Sequence, residues 1–405
     1  MMAEGNAGLS GNEHLLPQEE VLALDTPHKK LTIGVPAEQS YQECRIPLVP
    51  QAVGLLVADG HDVIIEHNAG KQARFPDSQY SDAGARIVYD HEEVFKADLI
   101  CKIAPVTLEE AGLLTRNQTI VSALHLSSIK RSWFEALMAR KVTLLGFEYI
   151  QDKSGTFPVI RAMSELVGTA AVFIASQYLS DPELGKGTLL GGFPGIFPTE
   201  VVILGAGTVA EYAARAAIGC GSVVRVFDNS IYKLRRLQHI LGNRIHTSTL
   251  QPDILTPALE RADVAIGAIH ADEGMSPCVV TSQMVERMKE GALIIDVSID
   301  QGGCFETSQT TSHKDPVFVH HGVIHYCVPN IASRFPHTAS HAISNYFTPV
   351  LRQIGEIGGV DKILRFDNGL RKGAVLFNGI LTKSYIGNRF NLPSQDIDLL
   401  IASFS

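Results

Sequence analysis

Residues 201–210, with the sequence VVILGAGTVA, combine an apolar strand with a glycine-rich turn. In such a turn Gly205 permits the tight reversal of the chain, and Gly207 has no Cβ to block a pyrophosphate group. Ala210 is small enough for the following helix to pack on the strand, and the N-terminus of that helix presents free N–H groups to the phosphates. The segment therefore predicts a binding site for a dinucleotide.

An acidic residue follows at the place where a dinucleotide site needs one. Asp228 lies 228 − 207 = 21 residues after Gly207, at the end of the next predicted strand. A carboxylate there accepts hydrogen bonds from the ribose 2′-OH and repels a 2′-phosphate, which favours NAD over NADP. The alternative is a glycine turn in an unrelated α/β protein, but the strand, the helix and the acid together favour the cofactor site. The nearby cations Arg225 and Lys233 either weaken the preference for NAD or are simply solvated.

The elements that must position this turn alternate between strands and helices. In the first part of the chain the predicted strands are 31–35, 63–66, 99–103, 119–124 and 142–147. In the second part they are 201–204, 223–227, 264–269, 293–297 and 323–328. The main predicted helices are 50–58, 162–178, 208–218, 231–241 and 337–354. Such alternation is typical of an α/β protein with parallel sheets.

The order of the elements predicts two Rossmann-like, doubly wound domains, with the NAD-binding domain inserted into the substrate domain. Residues 1–29 are expected to form a flexible N-terminal extension. Residues 30–160 and 335–405 are assigned to the substrate domain, and residues 161–334 to the NAD-binding domain. Doubly wound sheets bind ligands at the carboxyl ends of their strands. We therefore expect the active site in the cleft between the domains, which closes during the reaction.

The composition excludes several other classes of protein. The 405 residues include 34 basic and 43 acidic side chains, and the net charge of −9 argues against a nucleic-acid partner. No apolar run reaches the roughly 18–20 residues that span a bilayer, and the N-terminus does not resemble a signal peptide. The six cysteines show no CxxC spacing, so neither a disulfide nor a metal site is expected. A reducing, cytoplasmic location follows from that cysteine usage.

Several further segments, taken together, carry a family resemblance. They are IGVPAE at 33–38, RIPLVP at 45–50, MSE at 163–165, IDVSIDQGGCFE at 295–306 and HYCVPN at 325–330. With the glycine turn, their order and spacing over about residues 31–351 resemble the alanine dehydrogenase family. That family shares its fold with the NAD-binding subunit of proton-pumping transhydrogenase. The DQGGCFE run is closer to the dehydrogenase branch.

The resemblance implies a reaction in which L-alanine, NAD and water give pyruvate, ammonium and NADH. Arg45 matches the arginine that holds the substrate carboxylate, which a guanidinium does through two parallel hydrogen bonds. His125 matches the acid/base histidine of the family. Asp300 matches a carboxylate near the nicotinamide that activates water or stabilises the cationic imine.

The resemblance also assigns positions around the cofactor. Ser164, Asp228 and Lys233 match residues that contact the dinucleotide, and Asn330 and Ile331 match the segment that closes beside the nicotinamide. From the sequence alone, Ser164 is equally a helix-start residue and Lys233 a solvated one. The family further implies a homo-hexamer that acts on a small molecule.

One position departs from the family pattern. The family places a substrate-binding lysine where this chain has Ala104, and Lys102 matches only the preceding, non-functional lysine. Residues two apart on a strand share a face, so Lys102 is a candidate to reach the same pocket from about 6–7 Å further back. Two other functions therefore stay open. One is an NAD-binding sensor or partner subunit with altered or lost activity, and the other is a transhydrogenase-like nucleotide-binding subunit.

Overall fold

The structure, a computed structural model, describes residues 28–403 except residues 41, 127, 243–244 and 271–274. The predicted N-terminal extension therefore lies almost entirely outside the described residues. The first strands are β1 Thr32–Val35, β2 Asp62–Glu66, β3 Arg86–Val88, β4 Leu99–Cys101, β5 Thr119–Ser122 and β6 Thr143–Gly146. The helices between them are α1 Pro50–Ala58, α2 Asp77–Asp82, α3 His91–Val94, α4 Leu108–Leu113 and α5 Arg131–Ala139.

A long helix, α6 Pro158–Leu179, leads into the second sheet. The strands of that sheet are β7 Glu200–Leu204, β8 Val223–Phe227, β9 Ile245–Ser248, β10 Val264–Gly267, β11 Leu293–Asp296, β12 Val317–His320 and β13 Val323–Tyr326. Its helices are α7 Thr208–Gly219, α8 Ile231–Leu241, α9 Pro252–Arg261 and α10 Ser282–Glu286. Short 3₁₀ helices follow β11, at Val297–Gln301, and β13, at Ile331–Arg334.

The rest of the chain returns to the first sheet. It contains α11 Pro336–Ile357, α12 Val360–Phe366, α13 Asn368–Gly373, β14 Ala374–Phe377, β15 Ile380–Leu381, α14 Ser384–Phe390 and α15 Ile397–Ser403. Strand β14 pairs antiparallel with β6, and β15 pairs with β14. The insertion of one α/β unit into another is thus confirmed, whereas the exact boundaries assigned from the sequence stay predictions.

Both sheets are mainly parallel and carry helices on their faces. The eight-stranded sheet has the order β15-β14-β6-β5-β4-β1-β2-β3, and the seven-stranded sheet has the order β12-β13-β11-β10-β7-β8-β9. In the first sheet β1 lies between β2 and β4, and in the second β7 lies between β8 and β10. These are the points where the winding direction changes, so loops after β1 and β7 diverge and leave a crevice for ligands. The predicted α/β fold class is confirmed.

Most predicted elements are present, but several strands end earlier at their carboxyl ends than the sequence predicts. The strand predicted at 119–124 ends at Ser122, because the Leu124 N–H donates to the Glu148 carboxylate instead of continuing the ladder. Strands β3, β9 and β12, which the sequence did not indicate, extend the two sheets at their edges. Edge strands carry a weaker apolar pattern because one side of the strand lacks a neighbour, and β12 is largely accessible to solvent.

Helix α6 is long and apolar enough, by length and composition, to cross a membrane, but half of its most apolar window is buried inside the protein. It packs closely on α7. A Cβ added at Gly168 would lie 2.3 Å from the carbonyl oxygen of Val209, so only glycine fits that contact. This packing is that of a helix in the protein core.

Candidate active site

The glycine turn after β7 has the geometry that the sequence predicts. Gly205 has φ +105°, and a Cβ there would lie 2.4 Å from the carbonyl oxygen of Ala268. At Gly207 a Cβ would meet no atom within 4 Å and would instead project into open space at the start of α7. Ala210 is fully buried between the helix and the sheet. The turn therefore leaves room for a pyrophosphate against free helical N–H groups, so these residues fit a dinucleotide.

Asp228 lies beside this turn and helps to hold it. Its Oδ2 accepts a hydrogen bond from the Ala206 N–H at 2.7 Å, and its Oδ1 accepts one from the Ser230 N–H at 2.7 Å. Lys233 is exposed in the first turn of α8, and Ser164 is half-buried on α6. The structure thus brings Asp228 to the glycine turn, while Ser164 and Lys233 lie on α6 and α8, two helices that contact α7.

Arg45 lies in the loop between β1 and α1 and is almost completely buried. Its Nε and Nη2 donate to the two carboxylate oxygens of Glu43 at 2.7 and 2.6 Å, which forms a bidentate ion pair. Its Nη1 lies 3.5 Å from the Met163 sulfur at the start of α6. One edge of the guanidinium is therefore occupied, and the edge that includes Nη1 is the one left to bind a second carboxylate.

The segment after β13 comes from the inserted domain and meets Glu43. Asn330 Nδ2 donates to Glu43 Oε2 at 2.8 Å, and Ser333 Oγ donates to Glu43 Oε1 at 3.0 Å. Asn330 is left-handed, with φ +57°, a conformation that asparagine tolerates better than most residues. Ile331, the next residue, is buried in the core of the second domain. The expected closing segment is thus in direct contact with the loop that carries Glu43 and Arg45.

His125 follows β5 in a strained, left-handed conformation, with φ +47°. Such strain concentrates where the surrounding structure fixes a functional side chain. The Leu124 N–H donates to Glu148 Oε1 at 2.7 Å, which fixes the backbone just before the histidine. Burial lowers the pKa of His125 below 6.5, the Arg45 charge lowers it further, and the Glu43 charge partly opposes both effects. His125 is therefore neutral at physiological pH and ready to accept a proton.

Asp300 lies in the 3₁₀ helix after β11, in the inserted domain. Asp300 is exposed to solvent in this structure, yet the protein around its carboxyl raises its pKa above 3.8 by desolvation. A hydrogen bond from the Asn330 backbone and the Arg45 charge both oppose that rise. Arg45 thus acts electrostatically on both His125 and Asp300, so the structure brings the three residues, which come from two domains, near one another.

Lys102 lies in a buried cluster with two acidic side chains. Its Nζ is 2.6 Å from Glu110 Oε1 and 3.6 Å from Glu38 Oε2, and its side chain is fully enclosed. Glu38 also accepts hydrogen bonds from the backbone N–H groups of Ile103 and Ala104, at 2.6 and 3.4 Å. To bind a substrate, Lys102 would have to leave Glu110, so its suggested role as a replacement for the missing lysine stays a prediction.

The sequence analysis did not single out three buried carboxylates near the site. Glu43 stands two residues before Arg45, just ahead of the RIPLVP segment, and its spacing from the arginine is a usable signal. Glu38 lies inside another quoted segment, IGVPAE. Glu148 lies 148 − 125 = 23 residues from His125, and only the pairing of β5 with β6 brings the two regions together. Among the described residues, no three His, Cys, Asp or Glu side chains are grouped as a metal site.

These features define an α/β protein with two Rossmann-like domains, in which an arginine, a histidine and an aspartate lie near one another. Profiles of the N-terminal and C-terminal domains of alanine dehydrogenase/PNT match residues 34–167 and 171–384. The chain therefore belongs to the alanine dehydrogenase/PNT family.

Individual relatives agree with that assignment. Alanine dehydrogenase from Mycolicibacterium smegmatis is 35% identical over 373 residues, which is 92% of this chain and 100% of the relative. A solved structure of an L-alanine dehydrogenase is 34% identical, with a TM-score of 0.84 over 89% of this chain and 99% of that one. A transhydrogenase from Sinorhizobium meliloti is 20% identical, with a TM-score of 0.74 over 87% of this chain and 99% of that one, and shares the fold.

Proposed function

We propose that this protein catalyses the NAD-dependent oxidative deamination of L-alanine to pyruvate and ammonium, and the reverse reductive amination. The observation that carries the proposal is that the Arg45 charge acts on both His125 and Asp300, which come from different domains. The relatives named alanine dehydrogenase, at 31–36% identity over most of the chain, support the same reaction.

NAD is the proposed cofactor, and it supplies the hydride acceptor when bound. Gly205, Gly207, Ala210 and Asp228 fit its pyrophosphate and ribose, because together they provide a tight turn, free helical N–H groups and a 2′-OH acceptor. Ser164 and Lys233 are the proposed contacts on the flanking helices. Asn330 and Ile331 are proposed to lie against the nicotinamide.

In the proposed oxidation, the edge of Arg45 that includes Nη1 exchanges its contact with the Met163 sulfur for the substrate carboxylate, which it orients. His125, neutral because of its lowered pKa, accepts a proton from the water that adds to the imine. Asp300, from the inserted domain, stabilises the iminium charge. The overall reaction balances as alanine, NAD⁺ and water giving pyruvate, ammonium, NADH and a proton.

One specific observation favours a second candidate, an NAD-binding protein with altered or lost activity. Ala104 replaces a lysine that the family uses to bind substrate, and the charge of Arg45 is already balanced by Glu43. A sensor of NAD would keep the glycine turn and lose turnover. A function as a transhydrogenase-like nucleotide-binding subunit is supported by the shared fold alone.

The test compares turnover with cofactor binding in the purified full-length chain. NADH absorbance is expected to rise when NAD and L-alanine are both present, and to rise far less with D-alanine. Tight NAD binding without turnover for any amino acid would overturn the dehydrogenase function and support the sensor. Repeating the assay with NADP measures the proposed preference for NAD.

A homo-oligomer, a hexamer by the family resemblance, is proposed as the assembled form. Phe193, Ile196 and Phe197 lie in a short hairpin and are 52, 70 and 97% exposed. Exposed apolar clusters of this kind usually mark protein contacts. Light scattering measures the size of the assembly, and cell fractionation tests the proposed cytoplasmic location.

A further inference from the structure

Glu43 is a buried acid that accepts hydrogen bonds from several donors at once. Its side chain is 1% exposed, and it accepts hydrogen bonds from the backbone N–H groups of Cys44 and Arg45 at 3.1 and 2.9 Å. It also accepts from the Arg45 guanidinium, Asn330 Nδ2 and Ser333 Oγ. A buried carboxylate with this many donors is held in one place.

The contact of Glu43 with Arg45 determines which part of the guanidinium is available to bind a substrate carboxylate. Nε and Nη2 point at Glu43, so the plane of the guanidinium is fixed by two parallel bonds. Burial alone would raise the pKa of Glu43, but the Arg45 charge and the surrounding hydrogen bonds lower it to about 2. The carboxylate is therefore ionised at every pH at which an enzyme of this kind works, and the ion pair persists.

The contacts with Asn330 and Ser333 cross from the substrate domain to the inserted domain. Ser333 Oγ also accepts from the Cys44 N–H at 2.7 Å, so the two loops are joined by several bonds rather than one. Asn330 begins the segment that we propose lies against the nicotinamide. The same carboxylate thus touches the group that binds the substrate and the segment next to the cofactor.

We propose that Glu43 is a positioning residue that fixes the orientation of Arg45 and, at the same time, holds the 330–333 segment of the inserted domain against the substrate loop. The inference deepens the proposed dehydrogenase function and rests on it for the identity of the substrate. In this proposal Glu43 contacts neither the substrate nor the cofactor. Its effect on catalysis comes through Arg45 and Asn330.

The test uses three variants of the full-length protein. Glu43→Gln keeps the size of the side chain but removes its charge and one acceptor, and Glu43→Asp keeps the charge on a shorter stem. Glu135→Gln is the matched control, since Glu135 is an exposed acid of the same domain paired with Arg131 on α5. Thermal unfolding of each variant shows that the protein measured is folded.

For Glu43→Gln, we expect the KM for pyruvate to rise about tenfold or more, while the dissociation constant of NADH stays within about twofold. Glu43→Asp is expected to recover part of the loss, and Glu135→Gln to behave as the wild type. Hydrogen exchange of the amides at 331–334 should be faster in Glu43→Gln than in the control, because the bonds across the domains are weakened.

Two results would overturn the proposal. One is an unchanged KM for pyruvate in a folded Glu43→Gln protein, and the other is an equal loss of pyruvate and NADH binding, which a purely structural role would produce. If the wild-type chain shows no turnover, the proposed function fails separately. Pyruvate binding to the NADH complex, followed by NADH fluorescence, then makes the same comparison between Glu43→Gln and Glu135→Gln.

Discussion

Lys102 Nζ and Glu110 Oε1 lie 2.6 Å apart, and both side chains are almost completely enclosed. The Glu110 side chain also accepts the Thr107 N–H in a capping box at the start of α4. A buried pair of this kind is weak evidence for net stabilisation, but removing one partner leaves an uncompensated buried charge. The relationship bears directly on whether Lys102 replaces the lysine missing at position 104.

Lys102→Ala is expected to destabilise the fold by about 3–5 kcal/mol, since Glu110 loses its cation. Loss of turnover in that variant alone would therefore not separate a substrate ligand from a structural cation. The double variant Lys102→Met/Glu110→Gln removes both charges and should recover most of the stability in denaturant unfolding. If this folded double variant keeps wild-type kinetics, Lys102 does not bind substrate, and if it is inactive, Lys102 substitutes for the missing lysine.

His125 is expected to control the pH dependence of alanine oxidation. Its pKa lies below 6.5 in the folded protein, and alanine oxidation needs its neutral form. The kcat/KM for alanine should therefore be constant near neutrality and fall as the pH drops through a value below 6.5. His125→Asn should lower kcat about 10²–10⁴-fold and abolish this acid limb. His320→Asn, on the exposed edge strand β12, is the control, and an acid limb that survives in His125→Asn would contradict the assignment.

Gly205 and Gly207 form a matched pair that separates folding from cofactor binding. Gly205→Ala places a Cβ 2.4 Å from a carbonyl oxygen at φ +105°, so we expect a loss of about 1–3 kcal/mol or more in unfolding free energy. Gly207→Ala meets no protein atom within 4 Å and should leave stability unchanged. It should nevertheless weaken NADH binding about tenfold or more, measured by NADH fluorescence. Unchanged NADH binding in Gly207→Ala would contradict the cofactor site.

Ala104→Lys tests whether the departure from the family pattern limits substrate binding. Ala104 is fully buried beside Glu38, whose pKa burial raises to about 7 against the opposing charge of Lys102. A lysine at 104 adds a second cation near this carboxyl and near the proposed carboxylate site. We expect a KM for alanine lowered about fivefold or more in steady-state kinetics. Ala104→Met, of similar length and without charge, is the control, and an equal effect in both variants would contradict a role for charge.

The individual elements show where prediction from sequence succeeds. Helices α1 and α8 have the bounds predicted for them, because their apolar residues recur at helical spacing and a glycine follows close to each end. Strand β5 is shorter than predicted because the Leu124 N–H, just before His125, donates to Glu148 instead of to a neighbouring strand. Glu148 lies in the short helix that follows β6. No local pattern in 119–124 reports that contact.

The sequence by itself determined the alternation of strands and helices, the glycine turn with its acidic partner, and the family that the motifs resemble. These features are encoded locally, in residue spacing of two or about 3.6 and in short motifs. The tertiary structure alone decided that Lys102 is buried against Glu110 and that Glu43 joins Arg45 to Asn330. Glu43 and Asn330 are 287 positions apart in the chain and are brought together only by packing of the two domains. The charge state of each buried group depends on the burial which that packing creates.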